Sequence, residues 1–382
     1  MYINYKMKYS LLFALGFFQI SIVWGQTPLM DNPELINEIN HTIDLIYNFE
    51  FEEASHRIET LEIKNGQHPT NYLLRALILY WRERPFVSES EIFLEYESYL
   101  FKAIELAAEY DKDERLEEEG IFYTMAGYSL LTELYSEEGS GMKVLGSAKK
   151  AYKLLKKGFE LMEEFPDFYF PTGLYNYYRI KYPEIHPFYK SFLWLFVNGD
   201  MELGLSQLVI ATQKGIFTQR EAYIYLFHIY LRYQNQPEIA LPYAEYLIGR
   251  FPGNTRFKTL YLEAMIFNSS DSIPQNIIDS LITDKKDIYR LAGLLFQGFL
   301  SEQKGSYKES ERSLSEALEL YNSMGKEYDH YLSLIYVGIA RLAVIEENKE
   351  RAVEYYKMAL KLDPYIPVTE EAEGYINSIN EG

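Results

Sequence analysis

The residues that could do chemistry are few, and their spacing decides against most of it. Gly141-Met142-Lys143-Val144-Leu145-Gly146-Ser147 has the glycine spacing of a phosphate-cradling loop. Such a loop needs a lysine directly after its second glycine and a strand before its first. Ser147 holds the lysine's place and no strand pattern precedes Gly141, so nucleotide binding is not expected. Asp111-Lys112-Asp113 opens like a calcium loop, but the sharp turn of that loop requires glycine at its sixth position. Leu116 stands there. The histidines, His41, His56, His68, His186, His228 and His330, form no pair with ligand spacing on one helix. They are expected to be packed or solvated. Glu117-Glu118-Glu119 reads as a solvated helix start, where carboxylates favour the helix dipole. No Gly-x-Ser-x-Gly elbow occurs. Cysteine is absent, which removes thiolate metal sites, cysteine nucleophiles, disulfides and a lipid-anchoring cysteine. The expectation is a non-enzymatic chain with no catalytic residue, no metal and no cofactor.

The elements around these residues must therefore serve something other than catalysis. The chain has 382 residues, of which 48% are hydrophobic, long enough for one large solenoid or two to three compact domains. Its formal net charge of -19 argues against nucleic acid or an anionic membrane as the main partner. Lys6 and Lys8 precede an apolar run, Leu11 to Phe18, and Val23 and Gly25 sit at the -3 and -1 positions of a cleavage site. Residues 1–25 thus read as a secretory signal, with Met7 giving the more usual length. Gln19 and Ser21 interrupt the run, which makes it too short for a spanning anchor. The mature protein is expected to be exported without stable membrane insertion.

From Pro33 onward apolar residues recur at three- and four-residue spacing, with no sustained period-two alternation. Breaks such as Asn65-Gly66, Gly139-Ser140-Gly141, Asn235-Gln236-Pro237 and Pro252-Gly253-Asn254 divide the chain into about 18 helices. Many are too short to be stable alone and must stack. A repeat emerges on comparing them. From Ser333, the residues Tyr336, Ile339, Ala340, Ala343, Ala352, Tyr356, Ala359 and Pro364 alternate large and small in a 34-residue unit. Weaker copies start at Leu291 (Leu294, Gly298, Leu314, Ala317), Glu221 (Ile224, Phe227, Leu231, Ala240, Pro252) and Ile185 (Phe188, Leu195, Gly204, Leu208, Ala211). Two more start at Leu35 (Leu45, Ala54, Ile58, Leu61) and Pro69 (Tyr72, Ala76, Leu79, Leu100, Ala103). The pattern resembles the tetratricopeptide repeat (TPR) family, in particular its exported bacterial members. Gly199-Asp200-Met201-Glu202-Leu203-Gly204-Leu205, within 186–211, also resembles a segment of the eukaryotic TPR protein 39 family. The resemblance implies an all-α, right-handed α-α superhelix over residues 26–367, most irregular at 115–200. Phe168–Lys181 reads there as an unpaired helix, and 368–382 as a capping helix and tail.

Aromatic residues make up 16% of the chain, and 14 of the 38 residues from Phe159 to Phe196 are aromatic. Large residues at the repeat positions account for many of them. The surplus is expected to line a concave groove, because tyrosine and tryptophan give much contact area for little entropy. Groove candidates are Tyr175, Tyr178, Tyr189, Phe196, Tyr225 and Tyr233, with Arg232 and Arg341 as polar anchors. The Lys/Asn/Arg pattern of carboxylate-clamp TPR grooves is missing. The resemblance implies a scaffold that holds a protein or peptide partner, in the periplasm or secreted beyond it. One alternative is a carbohydrate- or small-ligand-binding component of an envelope uptake system on the same scaffold. Another is an enzyme with a site in the irregular 115–200 region.

Overall fold

The computed structural model describes residues 27–381 apart from 186–189, 192–193, 195, 271, 325–328 and 363–365. The signal segment and the groove candidate Tyr189 lie outside the described residues. The protein is an all-α solenoid with seventeen α-helices and no strand among the described residues. Eight hairpins follow one another: α1 (Pro33–Tyr47) with α2 (Phe51–Asn65), α3 (Pro69–Glu83) with α4 (Glu91–Ala108), and α5 (Glu117–Glu138) with α6 (Gly141–Gly158). Next come α7 (Tyr169–Ile185) with α8 (Met201–Lys214), and α9 (Gln219–His228) with α10 (Pro237–Arg250). The last three pair α11 (Thr255–Phe267) with α12 (Gln275–Ile282), α13 (Asp287–Gln303) with α14 (Tyr307–Met324), and α15 (Asp329–Ile345) with α16 (Lys349–Leu360). A final helix, α17, runs from Ile366 to Glu381.

Side-chain caps fix several helix starts. Asn32, Ser90, Asp200, Asn254 and Asn348 each accept a hydrogen bond from the backbone N–H three residues on. Such caps satisfy amides that the helix itself cannot pair. The small residues of the repeat lie where helices touch: Ala54, Ala103, Ala211, Ala240, Ala317, Ala340, Ala352 and Ala359 are all buried.

The fourth copy is corrected. Its inner helix is α7, not a helix beginning at Ile185, so 168–181 is paired rather than alone. Gly204, Leu208 and Ala211 do occupy the outer helix, α8. A Cβ at Gly204 would stand 2.7 Å from the Tyr177 nitrogen and 2.8 Å from the Gly173 carbonyl oxygen. The two backbones cross at glycine, which fixes the register that the sequence spacing misplaced.

The stack curls until its beginning meets its middle. Tyr47 of α1 packs 5.0 Å from Trp81 of α3, 5.8 Å from Phe251 and 6.3 Å from Phe257, ring to ring. Arg220, only 5% exposed at its side chain, bonds Asp44 of α1 through Nε and Nη2, at 3.0 and 2.5 Å. Asn254 Nδ2 donates to the Tyr47 carbonyl at 2.7 Å. A second clamp lies at Asp167, which is fully buried. Its carboxylate accepts from the amides of Ile216, Phe217 and Thr218 and from the Thr218 hydroxyl, at 2.8–3.1 Å. That turn delivers Phe217 to Phe122 and Tyr123 of α5, at 5.5 and 5.7 Å. Helices α11 to α17 carry the chain onward around a core of their own.

The acidic triplet divides. Glu117 is exposed and Glu118 partly so, but Glu119 is buried, 2% exposed, and its Oε1 accepts from the Leu29 amide. The solvated-start expectation fails for Glu119 because α5 turns that residue inward beneath the chain's first described turn.

Candidate functional site

Helix α9 does not end as an ordinary α-helix. The residues that continue it, Ile229–Tyr233, form a π-helical turn. The Gln234 amide reaches the Ile229 carbonyl five residues back. Such turns insert an extra residue and re-aim the side chains beside it. Here they aim Arg232 and Tyr233, two of the residues singled out by the aromatic surplus. Tyr233 packs edge-on to Tyr178 of α7, 5.7 Å between ring centres. Tyr178 in turn stands 5.2 Å from Tyr177. About two helical turns before Arg232, Tyr225 packs edge-on to Phe170 of α7 at 5.4 Å. Arg232 Nη2 lies 3.5 Å from Glu263 Oε2 of α11. Tyr178, Tyr225, Arg232 and Tyr233 therefore share one wall, built by α7, α9 and α11.

The electrostatics of that wall follow from its depth. Tyr178 and Tyr225 hold their protons well beyond the usual phenol range, mainly because burial disfavours the phenolate. Burial also pushes the His228 imidazole well below its ordinary value, and the Arg232 and Arg256 guanidiniums push further. His330 on α15 is lowered to about 3 for the same reasons. Both imidazoles are neutral at pH 7, so each offers one donor and one acceptor. His228 Nδ1 and Glu263 Oε1 are among the buried polar atoms of this wall with no hydrogen bond among the described residues. Buried polar atoms in native proteins normally have partners, which sets these two apart.

The other candidates are not brought to this wall. Tyr175 and Phe196 belong to a second cluster, on α6, α7 and the segment after it. Tyr175 lies 5.8 Å from Tyr152 and 5.7 Å from Phe159, and Phe196 lies 5.2 Å from Tyr152. The Tyr175 hydroxyl donates to the Val197 carbonyl at 2.5 Å. Arg341 is already occupied: its Nε and Nη2 hold both oxygens of Glu371 on α17, at 2.7 and 2.5 Å. The C-terminal helix thus lies against the inner face where Arg341 was expected to meet a partner. A cavity of about 310 Å³ remains beneath it, walled by Ile266, Phe299, Leu334 and Arg341. A more open one of about 450 Å³ lies between Phe49, Trp81, Thr255 and Tyr289.

Sequence reasoning missed Glu263, Arg256 and His330. Helix α11 was not read in the repeat register, because its partner α12 is only eight residues long and the copy there is degraded. His330 precedes the Ser333 copy by one turn and so fell outside its pattern. Among the described residues no group of three or more His, Asp or Glu side chains converges to hold a metal ion. No described helix is long and apolar enough to cross a membrane. No protein-family model matches the chain, and no curated protein matches it.

Proposed function

We propose that this chain is a non-enzymatic TPR-type scaffold, exported to the periplasm, that recognises a protein or peptide segment on its inner aromatic wall. The observation that carries the reading is the π-helical turn of α9, which gathers Arg232 and Tyr233 against Tyr178 and Glu263. Rings supply contact area at low entropic cost, and the neutral imidazoles and the guanidinium supply directional hydrogen bonds. The TPR resemblance supports the same reading, since a curved helical stack offers an extended inner surface. The test is a crosslinking pull-down from the envelope fraction with the parent protein, Tyr225→Ala and Arg232→Lys. Lysine keeps a cation beside the buried Glu263, so the second variant alters recognition without stranding a charge. Loss of a specific partner in both variants is expected. An unchanged set of partners refutes the assignment of the wall.

A second reading is favoured by the two unpaired atoms, His228 Nδ1 and Glu263 Oε1, set among rings. Hydroxyl groups of a sugar or similar small polar ligand would satisfy both while its face stacks on tyrosine. Saturable quenching of intrinsic fluorescence by a saccharide, abolished in Tyr178→Ala, would select this reading over the first.

A further inference from the structure

The chain carries a net charge of -19, yet helix α6 contains six lysines and no acidic residue. All six, Lys143, Lys149, Lys150, Lys153, Lys156 and Lys157, are exposed. Successive residues turn by about 100° in an α-helix. Met142, Leu145, Lys149, Lys153 and Lys156 therefore share one outward stripe. Met142 is 84% exposed and Leu145 64%. The helix packs along α5 and meets α7 only slightly, so only Ser147 and Gly158 are fully buried. Lys143 and Lys157 have loose carboxylate partners, Glu138 and Glu117, each at 3.4 Å. Lys149 and Lys153, at the centre of the stripe, have no carboxylate partner among the described residues.

A second apolar element flanks the stripe. The Val197 amide donates to the Tyr152 hydroxyl at 2.9 Å, and Phe196 packs on the Tyr152 ring. This holds the segment around 196–197 beside the C-terminal half of α6. Phe196 and Val197 are 42% and 49% exposed, and nearby Trp194 is 81% exposed.

We propose that this face docks on a membrane surface rich in anionic lipid headgroups. A cationic stripe bordered by protruding Met, Leu, Phe and Trp side chains matches a plane of phosphates over hydrocarbon. Lysine stems reach the headgroups while the apolar tips enter the interface. Tryptophan favours that depth. The chain's overall negative charge does not prevent this, because at physiological salt charges beyond roughly 8 Å are screened. The six lysines act over a shorter range than the carboxylates of remote helices. An acidic protein would satisfy the lysines but leave the protruding apolar side chains without a purpose.

The full chain should sediment with vesicles of phosphatidylcholine and phosphatidylglycerol, and not with phosphatidylcholine alone. High salt should release it. Each lysine near an anionic surface contributes about fivefold in binding, so Lys149→Gln with Lys153→Gln should weaken it about 25-fold. Met142→Ser with Leu145→Ser should also weaken it, leaving the salt dependence in place. Circular dichroism of both variants should match the parent, since the four side chains are exposed or unpaired. Absence of sedimentation with anionic vesicles overturns the proposal. So does parental binding by the double-glutamine variant, or capture of an acidic protein through these lysines without vesicle binding.

Discussion

Replacing Glu119 by glutamine should raise stability, relative to the parent, progressively as pH rises from about 5 to about 8. Glu119 is buried at the start of α5, and its Oε1 accepts from the Leu29 amide while its Oε2 has no partner. Burial raises its pKa from 4.5 to about 7, against the smaller lowering effect of the Leu29 bond. The sign follows from linkage. The folded carboxyl takes its proton more readily than the unfolded one, so this group favours folding most below pH 4.5. That contribution is lost as pH rises through about 7. At about 1.4 kcal/mol per pH decade, the whole loss is on the order of 3 kcal/mol, and most of it falls between pH 5 and pH 8. Glutamine keeps an acceptor for Leu29 and never ionises. Its amide nitrogen meets the same partnerless position at every pH, so that cost cancels when the two pH values are compared. The assay is urea unfolding of parent and Glu119→Gln at pH 5 and pH 8. The stability difference, variant minus parent, should grow by roughly 2–3 kcal/mol on going to pH 8. A difference independent of pH would refute the argument that Glu119 is a carboxyl forced to ionise inside the fold.

Three further perturbations test the packing. Arg220→Met removes the buried partner of Asp44 but leaves Arg250 on its other oxygen, so it should cost about 1.5–3 kcal/mol, read as a lower unfolding midpoint. The same variant should speed hydrogen exchange in α1, because the contact between the beginning and the middle of the stack loosens. Gly204→Ala drives a Cβ to 2.7 Å from the Tyr177 nitrogen and should destabilise by about 1–3 kcal/mol, seen as a drop in Tm. His68 is buried and lowered to about 4, so it folds neutral, and its contribution is lost as pH falls from 6.5 toward 4. His68→Asn keeps an acceptor for the Thr70 amide and should flatten the acid limb of the stability profile.

Much of the architecture was legible because its signal is periodic. Ala340, Ala343, Ala352, Tyr356 and Ala359 recur at the spacing that two crossing helices impose, and all five are buried. The same logic failed where the period is interrupted. The stretch 186–200 separates α7 from α8 by more than a repeat allows, so the inner helix of that pair was sought in the wrong place. Of the groove candidates, Tyr178, Tyr225, Arg232 and Tyr233 lie near one another in the fold. The aromatic surplus could not separate them from Tyr175 and Phe196, because enrichment in a residue type says nothing about which face a helix presents.

What periodicity cannot show is the curl of the stack, since its clamps are single residues far apart in the chain. Asp44 meets Arg220 across 176 positions. Asp167 meets the 216–218 turn across about fifty. Each is an acidic residue on a helix or turn, indistinguishable by type from dozens that face solvent in a chain with 56 of them. The curl nonetheless sets the character of the inner wall. An uncurled stack would leave Tyr225 facing water, with a more ordinary proton affinity. Bringing α3 and α5 beside α9 buries Tyr225, and Glu133 and Tyr80 from those helices help hold its phenol protonated. The burial of Tyr225 therefore depends on Asp44 and Arg220 although neither belongs to the wall. A variant that breaks that pair should expose the Tyr225 ring, read by mass spectrometry as faster nitration at that residue; an unchanged rate would separate the curl from the wall.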